Sequence, residues 1–417
     1  MICEFSFSNF RSFKNEAVLD FSARPIKEIE DSLINADKML FLPVCVIYGP
    51  NGGGKSSVLM ALKTLQEIII EPLLQMGFMK NKNEKLASYP VEKLRKEISR
   101  EGCSEMYYKW DRRSRNDAVV FRILFVAKDK KYCYEVTFKD QCIIEENLYT
   151  KNTCMEEIRV IFERDYEGVY LCEDLRNMDV DKLNANLPLI SYIAMFKDFE
   201  AVDDAIRFFM NMQVLGFDRP EQNWDILARV IEKNKKKFLN VISSMGIDIA
   251  DVRMEYNSDG KITEVYTKHY GTDNELRMKE ESSGIRKILN VLPVILEGMR
   301  AGTLFIVDEL DAKLHPALLQ SMISLFTDPV INATGAQMLF TSHDLITMNS
   351  KVFRRDEIWF SAINGYNESV LYSLADFEEE DETIRSVINY NKQYLEGRYG
   401  ADPYMKKIKN WEVLSCP

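Results

Sequence analysis

The sequence predicts an α/β fold with an antiparallel β subdomain and a helical insertion, and three observations predict it. A short β-branched run, "LPVCVIY" at 42–48, leads through a glycine-rich loop into helical apolar spacing from about Lys55. Two further apolar runs, "TLFIVD" at 303–308 and "QMLFT" at 337–341, end in polar residues, as buried parallel strands do. Between the first run and these two, residues 118–175 alternate apolar and polar across polar turns, the pattern of antiparallel hairpins.

At 417 residues the chain exceeds what one compact core organises, so two or three lobes are expected. The balance of 54 Lys+Arg against 65 Asp+Glu gives a net charge of −11, which argues against a surface that coats nucleic acid indiscriminately. Eight cysteines without a CxxC pair, with only three histidines, suggest neither a zinc site nor a disulfide framework. The start "MICEFSFSNFRSF" lacks a charged region followed by an apolar one, and no apolar run is long enough to span a bilayer. A soluble cytoplasmic protein with no membrane partner is expected.

In chain order, "CEFSFSNF" and "EAVLDF" within 1–22 read as two antiparallel strands around a turn at Ser12 and Lys14. The charged stretch 79–115, ending near "KWDRRSRND", reads as a solvated helical or loop insertion. A hairpin, "AVVFRILFVAKDKKYCYEVTF", continues into "CIIEENLYT" and "EIRVIFERD". From 198 to 245 the spacing becomes helical, and a second hairpin turns at Ser258, Asp259 and Gly260. A helix starts near Ser282 with "SSGIRKILNVLPVILEGM". Five segments follow: 1–75 as an N-terminal α/β part, 76–117 as the insertion, 118–175 as the β subdomain, 176–270 as a helical lobe with a hairpin, and 271–417 as a C-terminal α/β part.

Between strand and helix, Gly49, Pro50, Asn51, Gly52, Gly53, Gly54, Lys55, Ser56 and Ser57 fit the phosphate-binding loop pattern G-x-x-x-x-G-K-[ST]. Glycines let backbone N–H groups turn toward one point at a helix N-terminus, where unpaired donors and the dipole favour phosphate. Lys55 then reaches the β- and γ-phosphates of ATP, and Ser56 ligates Mg²⁺. The competing reading is a glycine-rich turn that binds nothing. Asp308 and Glu309 end an apolar strand where a parallel sheet presents its ligand crevice. Asp308 suits Mg²⁺, and Glu309 suits a general base on the attacking water; alone, the pair also reads as helix-capping acids. His343 follows the strand "QMLFT" directly, before helix-like spacing, and is a candidate to sense or polarise the γ-phosphate. "ESSGIRK", residues 281–287, reads as an N-cap by Ser282 or Ser283, or as a second phosphate-binding helix start involving Ser282, Ser283 and Gly284. One ATP rarely meets two such helix starts in one subunit, so the second reading implies a second copy.

These four elements, in this order, resemble the ABC-type ATPase head of SMC-like and RecF-like DNA-repair ATPases and OLD-family proteins. By that resemblance "GPNGGGKSS" is Walker A, "ESSGIRK" the signature, "LFIVDE" Walker B, "LDAKLHP" the D-loop region and "SHD" the H-switch. Ser282 then corresponds to the serine that contacts the γ-phosphate of the partner subunit's ATP, and Ser283 stands where the family has glycine. The opening "FSFSNFRSF" is also similar, which makes Asn9, Phe10 and Arg11 candidates for adenine or ribose contacts. The "ELDAKLHP" form and the tail "YLEGRYGADPY" resemble AAA-family ATPases of bacterial antiphage and abortive-infection operons, a set that includes the PARIS-type ATPase. The resemblance implies ATP and Mg²⁺ as cofactors, a homodimer or higher homo-oligomer around ATP, and a separately encoded effector, in this group often a nuclease. It leaves open a DNA or phage-derived trigger. About 75 residues follow His343, fewer than an added nuclease domain is expected to need.

Two rivals remain open at this point. One is a DNA-repair ATPase, for which "KWDRRSRND" and "KNKKKFLN" are the obvious basic sources. The other is an ATP-gated scaffold with little turnover.

Overall fold

The computed structural model describes residues 1–36, 39–75, 106–140, 142–152, 157–181, 183–216, 223–377 and 390–401. The insertion expected at 76–117 therefore lies outside the described residues up to 105, as does the end of the tail motif. Two sheets organise the chain. The first has seven antiparallel strands. These are β1 (Ile2–Ser8), β2 (Ala17–Asp20), and five that follow the insertion: β6 (Val119–Ala127), β7 (Lys130–Lys139), β8 (Cys142–Asn152), β9 (Ile158–Arg164) and β10 (Val169–Leu171). The sheet order is β10-β9-β8-β7-β6-β1-β2. The hairpins expected at 118–175 thus continue through β1 into the N-terminal pair, joined by the antiparallel register Phe5 to Ile123 and Phe7 to Phe121.

A small ribbon, β3 (Ile34–Ala36) with β4 (Met39–Phe41), precedes the second sheet. That sheet holds β5 (Val44–Tyr48), β11 (Met212–Leu215), β15 (Leu304–Val307), β16 (Gln337–Thr341), β17 (Ile358–Ile363) and β18 (Ser369–Ser373), in the order β11-β15-β16-β5-β17-β18. All pairs are parallel except β17 with β18. Both faces are covered, which explains the unbroken apolar runs. Cys45, Ile47, Leu304, Ile306, Leu339 and Trp359 enter one core. Val44, Val46, Phe305, Val307, Met338 and Phe340 enter the other.

Helix α1 (Lys55–Gln75) lies between the sheets: Val58, Leu62, Leu65 and Ile69 share a core with Phe5, Phe121, Phe125 and Tyr134. Helices α2 (Leu189–Phe196) and α3 (Glu200–Met210) close the same core, where Phe208 stacks on Phe125 with centroids 4.1 Å apart. The helical reading of 198–245 holds for α3 and for α4 (Trp224–Ser244), but β11 intervenes. Helix α4 breaks at Asn234, whose side chain caps the restarted half by accepting from Lys237 N–H at 2.9 Å. A three-stranded sheet follows, β12 (Ile249–Tyr256), β13 (Ile262–His269) and β14 (Glu275–Arg277), with its hairpin turn at Gly260 as expected. Helices α5 (Ser283–Met299) and α6 (Pro316–Thr327) cover the second face of the parallel sheet. The helical spacing read after His343 is not realised. Asp344 instead accepts the N–H groups of Ile346 and Thr347 and the Thr347 hydroxyl, which ties the chain into turns.

Candidate nucleotide site

Strand order assembles the site. β15, β16 and β5 are neighbours and parallel, with Val307 beside Phe340 and Thr341 beside Ile47. The residues that follow each strand, Asp308, Ser342 and Gly49, therefore leave the sheet at one edge. Three of the sequence motifs meet there although nearly 300 residues separate the first from the last.

The loop 49–54 needs its glycines for two different reasons. Gly49, Gly52 and Gly54 take φ of 149°, 79° and 106°, a region that L side chains rarely adopt. Gly49 and Gly53 also have no room, since a Cβ would lie 2.0 and 2.6 Å from the carbonyl oxygen of Ser361. Ser361 Oγ donates to Gly53 O at 2.8 Å, so β17 supports the loop from behind. Gly54 is similarly backed by Ser369 Oγ and Ser12 Oγ. Lys55 opens α1, is buried, and donates from Nζ to the carbonyls of Gly49 at 2.9 Å and Pro50 at 3.1 Å. Burial lowers its pKa, against the opposing pull of Asp308, Glu309 and Asp311. Ser56 is exposed beside it, and Ser57 Oγ accepts from Ser12 Oγ at 3.2 Å.

Asp308 and Glu309 are both exposed at the strand end. The buried hydroxyl of Thr341 joins them: Oγ1 donates to Asp308 Oδ1 at 2.5 Å and accepts the Glu309 N–H at 2.7 Å. Glu309 has φ 49°, a left-handed conformation costly for a side chain with a Cβ, which turns the chain sharply at the strand end. Asp311 Oδ2 accepts the backbone N–H of His343 at 3.1 Å, so the turn after Glu309 is tied to the histidine-bearing strand end. The His343 side chain is exposed.

The motif at 281–287 lies on the other side of the two carboxylates. Ser282 Oγ accepts from Ile285 N–H at 3.2 Å and caps α5, so the N-cap reading applies to Ser282. Ser283 is exposed, and Gly284 packs so closely that a Cβ would sit 3.0 Å from Lys313 O. A cavity of about 580 Å³ is lined by Ser283, Arg286, Lys287, Asp308, Glu309 and Lys313, together with Leu215 and Gly216 at the end of β11. β15 lies between β11 and β16, with β5 one strand beyond, so the cavity at the end of β11 and the phosphate loop after β5 lie on opposite sides of the carboxylates that end β15. Lys287 is buried, and burial pushes its pKa down to about 8 although Asp311 and Glu309 oppose the shift.

Residues 44–349 match the model of the AAA_21 family, described as "AAA domain, putative AbiEii toxin, Type IV TA system". The match spans well over half of the chain. The chain belongs to the AAA_21 family. No curated protein matches the sequence. Among solved structures, an SMC head crystallised with the C-terminal winged-helix domain of ScpA is 12% identical at a TM-score of 0.48, covering 89% of this chain and 97% of that one. The SMC head domain from Thermotoga maritima is 13% identical at a TM-score of 0.42, covering 89% and 98%.

In this AAA_21 protein two of the three N-terminal candidates are corrected. Asn9 is buried and its amide is spent: Nδ2 donates to the carbonyls of Ser114 and Asp117, and Oδ1 accepts from Tyr108 N–H. Phe10 is 1% exposed, edge-on to Phe7 and Phe121 in the core, and cannot reach a base. Arg11 is exposed, and its φ of 50° completes the tight turn that delivers Ser12 to the loop. Sequence reasoning missed Ser12, Ser361 and Ser369 behind the loop, Thr341 between the carboxylates, and Lys287. The only sequence signal for these was position: Thr341 ends its strand one residue before "SHD", and Lys287 closes "ESSGIRK". Among the described residues no helix is long and apolar enough to cross a membrane.

Proposed function

We propose that this AAA_21 protein is an ABC-type ATPase head that binds Mg²⁺ and ATP and hydrolyses ATP as a nucleotide-dependent switch. The observation that carries the reading is the shared edge of β5, β15 and β16, from which the glycine loop, Asp308 with Glu309, and His343 all project. The loop fits phosphate because its positive-φ glycines open backbone donors at the start of α1, and Gly49 and Gly53 leave no space for side chains. Lys55 supplies the charge for the β- and γ-phosphates. Ser56 and Asp308 offer the hard oxygen donors that Mg²⁺ takes beside phosphate and water. The metal, when bound, neutralises charge on the phosphate oxygens. Glu309 accepts the proton of the attacking water, and His343 contacts the transferred phosphoryl group. Ser282 and Ser283 of a second copy complete the site across a homodimer or larger homo-oligomer.

The family description names a toxin of a type IV toxin–antitoxin system. Together with the resemblance to antiphage ATPases, this supports a role in bacterial defence, in which the ATP-bound assembly controls a separately encoded effector, a nuclease by analogy with that group. Phosphate release with Mg²⁺ and ATP tests the enzyme reading. Wild type turns over. Lys55→Ala loses ATP binding, while Glu309→Gln binds ATP and turns over at least about a hundredfold more slowly. A wild type that binds ATP without releasing phosphate contradicts the reading and favours the scaffold.

A further inference from the structure

Both peptide groups of Glu309 are held, and by different motifs. Its N–H goes to Thr341 at the end of the His343 strand. Its carbonyl accepts from Lys287 Nζ at 3.0 Å, and the same ammonium donates to Leu310 O at 2.7 Å and Ala312 O at 2.9 Å. Lys287 sits on α5, about one and a half turns after Ser282, and is only 7% exposed. The stretch it grips runs between two left-handed non-glycine residues, Glu309 at φ 49° and Lys313 at φ 63°. Such conformations persist only where surrounding contacts over-determine them. The helix start packs on the same stretch, where a Cβ at Gly284 would lie 3.0 Å from Lys313 O.

We propose that Lys287 is a positioning residue for the hydrolytic carboxylate: through three main-chain carbonyls it makes the start of α5 and the Glu309 backbone move as one body. The inference rests on the ATPase reading and deepens it. A contact made at Ser282 by another subunit's nucleotide is then carried along one and a half turns of helix to the Glu309 of the same chain. Assembly and the orientation of the base are thereby coupled without any contact between the nucleotide and Lys287.

The test is a double-mutant cycle read by single-turnover ATP hydrolysis, with Lys287→Met in wild-type and Glu309→Gln backgrounds. If Lys287 acts only through Glu309, Lys287→Met slows the wild type by roughly tenfold to a hundredfold, as misplaced catalytic groups do. In the Glu309→Gln background the same change costs less than about twofold, because residues acting as a unit are non-additive. The ATP dissociation constant stays within about threefold of wild type in both, since the phosphate loop is untouched. Should Lys287→Met not yield folded protein, Lys287→Gln, which keeps two donors, is read in the same cycle. Equal slowing in both backgrounds, or an unchanged rate in an active wild-type background, overturns the inference alone. A wild type that releases no phosphate overturns the ATPase reading and this inference with it.

Discussion

A Cβ at residue 49 would lie 2.0 Å from the Ser361 carbonyl oxygen, whereas at residue 52 it would meet nothing within 4 Å. Both glycines have positive φ, so the pair separates backbone strain from lack of space. Gly52→Ala is expected to cost about 1–2 kcal/mol, the penalty of a left-handed residue with a Cβ. Gly49→Ala adds a clash with a strand of the central sheet, which strand and loop relieve only by moving apart. It should lower the thermal midpoint further and abolish ATP binding, whereas Gly52→Ala keeps measurable binding. Equal loss in the two variants, by calorimetry and nucleotide titration, would contradict this account of the loop. The loop itself was legible because its residue types and spacing follow from phosphate chemistry. The serines behind it were not: Ser12, Ser361 and Ser369 come from elements far apart in sequence, and a small polar residue carries no periodic signal. Asn9 and Phe10 misled for the opposite reason, since a motif-like turn was built from side chains that the core consumes.

At the scale of elements, hydrophobic patterning located β5, β15, β16 and both hairpins, whose runs are apolar or alternate cleanly. It missed β11, four residues that follow α3 with a single residue between and no turn signal. It also left β17 and β18 unassigned, although they carry the support of the phosphate loop. The approach to β17 contains a buried polar knot. Arg354, fully buried, is paired with Asp356 at 2.9 Å and donates to the carbonyls of Arg24, Ile26 and Glu28. Glu357 beside it accepts the Arg354 N–H at 2.8 Å, yet burial pushes its pKa from 4.5 up to about 8, with Asp356 and Glu28 adding to the shift. In this window the unfolded chain has already released the proton and the folded chain keeps it. Folding therefore binds a proton, and stability falls as pH rises from about 4.5 to 8. Glu357→Gln should flatten that decline and be more stable than wild type at pH above 8, as chemical denaturation at several pH values would reveal. A decline of the same slope in the variant would show that Glu357 is not its source.

For the molecule as a whole, the order of motifs along the chain was more informative than any one of them, because it implied that distant segments share one sheet edge. What could not be read was the placement of the α5 start across from the phosphate loop, which depends on the crossover that puts β11 beside β15. That placement separates the two helix starts by the carboxylates, the arrangement from which the second copy is proposed. The basic stretch in α4 is partly neutralised within the chain, with Arg229 and Lys233 on Glu297 and Lys235 on Asp251. Lys236 and Lys237 of the same stretch are exposed, as are Arg112 and Arg115 of "KWDRRSRND", so the salt dependence of DNA binding is the test of the DNA-repair reading. The central claim is that ATP joins two copies, and the most direct measurement is the solution mass with Mg²⁺, with and without ATP, for wild type, Glu309→Gln and Ser282→Arg. The account predicts a gain in mass on adding ATP, larger and longer-lived in Glu309→Gln and lost in Ser282→Arg. A mass that ATP leaves unchanged in wild type and Glu309→Gln alike, or an ATP-driven gain that survives Ser282→Arg, would contradict it.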